Sequence, residues 1–328
     1  MPRLDTTHPR SRRRFAAILV LGLALGVAVS SGGDVRAQQS APAPKQQDRI
    51  IADVNLVVLH AVVIDDRGRF VPDLKAEHFR VLEDRVEQKL SLFKREDIPV
   101  TVGLVIDNSG SMRDKRERVN TAALTFVKSS NPEDEAFVVN FNDEYYLDLD
   151  KNFTNDVGEL KDALERIDSR GSTALYDAII GSLDHVKKGT RDKKVLLVIT
   201  DGEDNTSRAN LEKTMLEAQR SEAVIYGVGL LGKDKKAKNA KRALQAIAQA
   251  TGGLSFFPEE LGDVEAICAQ IAHDIRNQYT LAYYPTNPRK DGTFRNVQVE
   301  VIPPRGRGKL TVRTRTGYYA QRTSSGND

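Results

Sequence analysis

Cysteine is almost absent from this sequence. Cys268 stands alone, so an intrachain disulfide is excluded. With 328 residues, 40% hydrophobic and 29% charged, the chain has the composition of a soluble globular protein whose core needs no such staple. That length allows one large domain or two smaller ones. Cys268 falls on the stripe Val264, Ile267, Cys268, Ile271, Ala272 and Ile275, spaced as on one helix face, and reads as a small core residue rather than a nucleophile. Histidine is also scarce. The five are scattered with no two at ligand spacing, which argues against a zinc site. A strong net charge is missing too. The total is +3, but residues 1–37 hold six Arg against Asp5 and Asp34, so the remainder sits at −1. A mature chain this close to neutrality has no global attraction for nucleic acid or an anionic membrane. Local basic runs at 233–242 and 305–315 read as solvated surface.

No apolar run reaches the roughly 20 residues that a bilayer-spanning helix requires. The run 15–29 follows the positive stretch Arg10 to Arg14 and precedes small residues and Val35-Arg36-Ala37. This is the order of a secretory signal peptide, so residues 1–37 read as an export leader and the mature chain carries no membrane span. Ser11-Arg12-Arg13-Arg14-Phe15 also fits the core of a twin-arginine motif. No Cys directly follows the run, so no lipoprotein attachment is expected. Residues 38–49, with Ala-Pro-Ala-Pro and several Gln, read as a flexible linker. The expected location is the periplasm or the exterior of a bacterial cell.

The rest of the chain divides by rhythm. Residues 50–98 are β-like: 54–65, 79–83 and 88–93 read as strands, with turns at Asp66-Arg67-Gly68 and Glu83-Asp84-Arg85. From Pro99 the pattern alternates. Apolar strands at 100–106, 136–141, 195–200, 223–228 and 254–257 are separated by helices near 119–127, 157–167, 175–186, 211–220 and 240–250, and the Cys268 helix closes the block. Continuous apolar strands alternating with amphipathic helices indicate an α/β fold with a doubly wound, mostly parallel sheet over 99–276. Residues 277–320 return to β, with strands at 279–284, 296–302 and 309–315. Neither flank has enough strands for a sandwich alone, so the two are expected to form one β-sandwich into which the α/β domain is inserted. Residues 321–328 read as a tail.

Three loops carry candidate chemistry: Asp107-Asn108-Ser109-Gly110-Ser111 after strand 100–106, Gly171-Ser172-Thr173-Ala174 before helix 175–186, and Thr200-Asp201-Gly202 after strand 195–200. In open α/β sheets ligands bind beyond the carboxyl ends of the strands, where these loops are expected to converge. They offer two carboxylates and three hydroxyls, all oxygen donors. That set suits a hard cation, Mg²⁺ best, with Mn²⁺ and Ca²⁺ chemically compatible. Two carboxylates so placed would repel without a cation between them.

Asp-x-Ser-x-Ser after a buried strand, a Thr before a helix and Thr-Asp-Gly after a later strand together resemble the metal-ion-dependent adhesion site of von Willebrand factor A-type domains. The resemblance covers about residues 99–276. It implies Asp107, Ser109, Ser111 and Thr173 as metal ligands, with Asp201 binding directly or through water. It also implies a protein partner that offers an Asp or Glu to the open position of the metal. Val81-Leu82-Glu83-Asp84, 279–285 and Gly317-Tyr318-Tyr319 further resemble segments of bacterial exported proteins of this family. Arg85 and Ser172 stand where Gly is usual.

Other readings fit less well. A phosphotransferase using Asp107 needs a second carboxylate two residues on, and that position is Ser109. The run Gly227 to Lys233 nearly matches a phosphate-binding loop, but Asp234 replaces the hydroxyl residue. Ser109 lacks the frame and the histidine of a serine hydrolase. The expected protein binds rather than catalyses. A structural domain with no acidic ligand of its own is the main alternative.

Overall fold

The computed structural model describes residues 56–95 and 97–322. The leader 1–37, the linker 38–49 and the end of the tail from 323 onward lie outside the described residues.

Four strands precede the α/β block: β1 (Val57–Ile64), β2 (Phe79–Glu83), β3 (Val86–Gln88) and β4 (Leu90–Lys94). The block runs β5 (Val100–Asp107), α1 (Arg116–Lys128), β6 (Glu135–Phe141), β7 (Tyr145–Leu147), α2 (Val157–Glu165), α3 (Leu175–Val186), β8 (Lys193–Thr200), α4 (Leu211–Arg220), β9 (Val224–Gly229), α5 (Lys235–Ala250), β10 (Ser255–Phe256) and α6 (Val264–Arg276). Four more strands follow: β11 (Tyr279–Tyr283), β12 (Phe294–Val301), β13 (Thr311–Arg313) and β14 (Gly317–Tyr319).

The central sheet has the order β10-β9-β8-β5-β6-β7. Every pairing is parallel except β6 with β7. Every residue of β5 is buried, as required of a strand covered on both faces. Val102, Leu104 and Ile106 point into one core with α1, α2 and α6, while Val105 points into a second with α3, α4 and α5. The chain leaves β5 toward β6 on one side and leaves β8 toward β9 on the other. The direction of winding therefore reverses between β5 and β8, which opens a crevice at their carboxyl ends.

The flanking strands form two antiparallel sheets, β13-β1-β11-β4 and β14-β12-β2-β3. Each mixes strands from before and after the block. Their inner faces share one core containing Leu59, Ala61, Val63, Val81, Tyr279, Leu281 and Val299. β4 and β11 are neighbours, with Phe93 opposite Leu281, so the block leaves and re-enters the sandwich through adjacent strands. The Tyr279 hydroxyl donates to Val71 O (2.6 Å) and accepts from Leu74 N (3.0 Å), tying down the loop between β1 and β2.

The structure adds detail where the hydrophobic pattern is thin. Residues 88–93 split into β3 and β4, and β7 and β14 are short strands that periodicity does not mark. The β2–β3 turn places Asp84 and Arg85 at φ 47° and 70°, the paired left-handed conformation of a two-residue hairpin turn. Helix α5 starts at Lys235, five residues before the apolar period predicts, because Asp234 caps it by accepting from Ala237 N (2.7 Å). That role accounts for Asp234 without phosphate, and Gly227 and Gly229 are buried within β9. Cys268 is fully buried, and burial pushes its thiol up to about 12, so it is inert. Among the described residues, no helix is long and apolar enough to cross a membrane.

Candidate functional site

Asp107 closes β5 with its carboxylate in the crevice, 1% exposed. Its Oδ1 accepts from Ser109 N (2.8 Å), which curls the chain into the loop, and its Oδ2 accepts from Thr200 Oγ1 (2.6 Å) at the end of β8. Burial pushes its carboxyl above the usual range. The Thr200 and Ser109 hydrogen bonds oppose that shift, and the nearby Asp201 charge adds to it.

Gly110–Met112 form a single 3₁₀ turn with Ser109 at its N-cap, but the Ser109 side chain makes no capping bond. Its Oγ instead lies 3.2 Å from Ser111 Oγ, which donates to Asp201 Oδ1 (2.8 Å). Helix α1 begins later, at an N-cap occupied by Lys115. A helix-capping role therefore explains neither hydroxyl.

The second loop is tied to the first by backbone bonds from Gly110 N to Gly171 O (3.1 Å) and from Arg170 N to Asn108 O (2.9 Å). Gly171 has φ +72°, and a Cβ there would lie 2.2 Å from Asp143 Oδ2, so only glycine fits. The Asp143 carboxylate in turn accepts from Ser172 N (2.8 Å). Thr173 is buried at the start of α3, held by paired bonds with Asn205: Thr173 N to Asn205 Oδ1 (2.9 Å) and Asn205 N to Thr173 O (3.1 Å). A Cβ on Gly202 would stand 3.6 Å from Thr173 Oγ1, so that hydroxyl faces the third loop.

Asp201, at the end of β8, has a side chain 1% exposed and forms an ion pair with Lys115 Nζ. The structure thus links Asp107, Ser109, Ser111 and Asp201 through hydrogen bonds and through Thr200, and it brings Thr173 against Gly202. Among the described residues, no group of three or more His, Cys, Asp or Glu is placed to hold a metal. A cation in this crevice would be met by two carboxylates and three hydroxyls. Such an all-oxygen set, with two buried carboxylates, fits a hard divalent ion.

Three contributors escaped the motif reading. Lys115 lies four residues beyond Ser111, where nothing in the motif points to it. Asn140 is fully buried on β6. Its Oδ1 accepts from Asn108 Nδ2 (2.6 Å), while its own Nδ2 donates to Asp148 Oδ2 (2.7 Å) and Ala163 O (2.8 Å). It braces the first loop from behind. Asn205 does the same for Thr173. An Asn within an otherwise apolar buried strand was the available signal for Asn140, because a buried amide needs partners.

A family model of the von Willebrand factor type A domain matches residues 101–270. The chain is similar to uncharacterized protein sll0103 of Synechocystis sp., 27% identical over 108 residues, or 32% of this chain and 26% of that protein. It is also similar to calcium-activated chloride channel regulator 1 of Sus scrofa, 29% identical over 167 residues, or 48% of this chain and 17% of that protein. The matched stretches thus span about a quarter of the first relative and about a sixth of the second. Among solved structures, a von Willebrand factor type A protein from Catenulispora acidiphila matches with a TM-score of 0.46 and 12% identity, over 83% of this chain and 74% of that one. The vWF domain of the type V pili tip protein Mfa5 from Porphyromonas gingivalis matches with a TM-score of 0.46 and 14% identity, over 55% and 95%. With the family model spanning more than half of its 328 residues, the chain belongs to the von Willebrand factor type A domain family.

Proposed function

We propose that this protein is a metal-dependent protein-binding module that works outside the cytoplasm, with residues 1–37 as its export leader. One divalent cation, Mg²⁺ by preference, would be held by Asp107, Ser109, Ser111, Thr173 and Asp201. Bound there, it would supply a Lewis-acidic position for the carboxylate of a partner's Asp or Glu. The protein's own groups explain why the partner would be acidic. Three of the five donors are neutral hydroxyls, so a dication keeps enough charge to attract an outside carboxylate. Thr200 and Ser109 N hold Asp107 in place before any partner arrives, which lowers the ordering penalty of binding.

The observation that carries this reading is the linked set itself. Two carboxylates with almost no exposed surface share a crevice with hydroxyls that cap no helix. The position two residues beyond Asp107, where a phosphotransferase of this fold needs a second carboxylate, is Ser109, which favours a binding role over catalysis. One observation favours a second reading. The Lys115–Asp201 ion pair supplies a positive charge of the chain's own in the crevice, as expected of a structural domain without an acidic ligand.

Selection of a random peptide library on the immobilised protein in Mg²⁺ tests the proposal. Peptides released by chelator should share an Asp or Glu, and their Asn or Gln counterparts should lose binding. Enriched peptides that lack acidic residues and stay bound in chelator would contradict it.

A further inference from the structure

Lys115 is an unexpected residue for its position. It occupies the N-cap of α1 and makes no side-chain capping bond. Ser, Thr, Asp and Asn are preferred there, and a cation is disfavoured by the positive end of the helix dipole. The neighbouring cation, Arg116, turns away to Glu165 O (2.9 Å) and Asp168 (3.5 Å). Lys115 instead reaches across the crevice to Asp201 Oδ2, while the other oxygen of that carboxylate accepts from Ser111 Oγ. Its side chain is 32% exposed, whereas that of Asp201 is 1% exposed. The ammonium therefore neutralises a nearly buried carboxylate from the solvent side, on a flexible stem that can swing outward without disturbing the core.

We propose that Lys115 is a built-in competitor for the divalent cation. It occupies the Asp201 carboxylate when no metal is bound and is displaced when metal enters, so it sets the threshold concentration at which the site loads. This rests on the reading of the crevice as a metal site. Two features separate a displaceable cation from a permanent one. The contact joins one side chain to another, and among the described residues no backbone group is seen to hold the ammonium. The oxygen donors proposed for the cation, Asp107, Ser109, Ser111, Thr173 and Asp201, also do not include Lys115, whose ammonium has no lone pair to offer a metal. A monovalent ammonium and a dication on the same carboxylate repel each other, so each weakens the other's hold, and by linkage the effect is reciprocal.

The test is calorimetric titration of the full-length chain with Mn²⁺ alone, for the wild type, Lys115→Met, Lys115→Gln, Lys115→Arg and Asp107→Ala, with melting of each in chelator. Lys115→Met and Lys115→Gln should bind Mn²⁺ roughly tenfold more tightly than the wild type, as expected when an ion pair with a buried partner no longer has to be broken. In chelator both should melt below the wild type, and Mn²⁺ should raise their melting temperature by more than it raises that of the wild type. Lys115→Arg, which keeps the charge, should stay near the wild type in both readouts. If the wild type binds Mn²⁺, Asp107→Ala does not, and neither neutral variant binds more tightly, Lys115 is no competitor and the metal reading stands without it. If neither the wild type nor the neutral variants bind Mn²⁺ at millimolar concentration, both readings fall. If one neutral variant fails to fold, the other gives the comparison.

Discussion

The two ends of the parallel strands handle charge in opposite ways. At the amino ends, where the block joins the sandwich, Asp134 accepts from Val100 N (2.8 Å) and pairs with Arg276, which also reaches Asp97 (2.7 Å). Lys193, 4% exposed, donates to Ile275 O in the last turn of α6. Main-chain groups anchor Asp134 and Lys193, and Asp134 in turn holds Arg276. At the carboxyl ends, Asp201, Ser111, Ser109 and Lys115 are linked only through side chains. A charge bonded to backbone cannot exchange its partner without moving an element of the fold, whereas a chain of side chains can be re-partnered by a rotamer change. One end is built as a weld and the other as a socket.

Breaking the weld should damage stability and leave cation binding alone. The largest effect is expected from Asp134→Ala. It leaves Arg276, whose side chain is 13% exposed, with only the more exposed Asp97 as a carboxylate partner, and it removes the acceptor of Val100 N. Loss of one partner from a buried pair costs about 3–5 kcal/mol, to be read from urea denaturation, while the metal affinity of the protein that remains folded stays at the wild-type value. A destabilisation below about 1 kcal/mol, within the range of an exposed pair, would show that the junction is no weld.

A smaller effect comes from Lys193. Burial, and then the neighbouring Arg276 charge, bring its ammonium down from 10.5 to about 7, against the opposing pull of Asp97 and Asp134. Between those two values the unfolded chain holds a proton that the folded chain has released, so stability rises with pH from about 7 upward. Below that range both states are protonated and the penalty is fully present. His60 and Arg315 also face this region. Denaturation at pH 7 and pH 9 should therefore show a more stable wild type at pH 9 and a flatter profile in Lys193→Met. An equal rise in both would assign it to other groups.

Sequence and structure agree most where the hydrophobic period is strong. The continuous apolar runs at β5, β8 and β9 and the one-sided faces of α3 and α4 were legible because each is buried on the face its pattern marks. The short strands β7 and β14 were not, since three residues are too few to establish a period. The start of α5 was hidden because its first turn is rich in lysine, so only the Asp234 cap marks it. At the site, the motif identified the loops that meet. It was silent on Lys115, Asn140 and Asn205, because what these side chains reach depends on tertiary placement that spacing along the chain does not encode.

In the proposed function, Asp107, Ser109, Ser111, Thr173 and Asp201 hold one divalent cation. Calorimetric titration of the wild type and Asp107→Ala with Mg²⁺ and Mn²⁺, with circular dichroism of both, tests it most directly. The wild type should show one site, and a variant that keeps its fold should show none. A folded Asp107→Ala that binds metal as tightly as the wild type would contradict it.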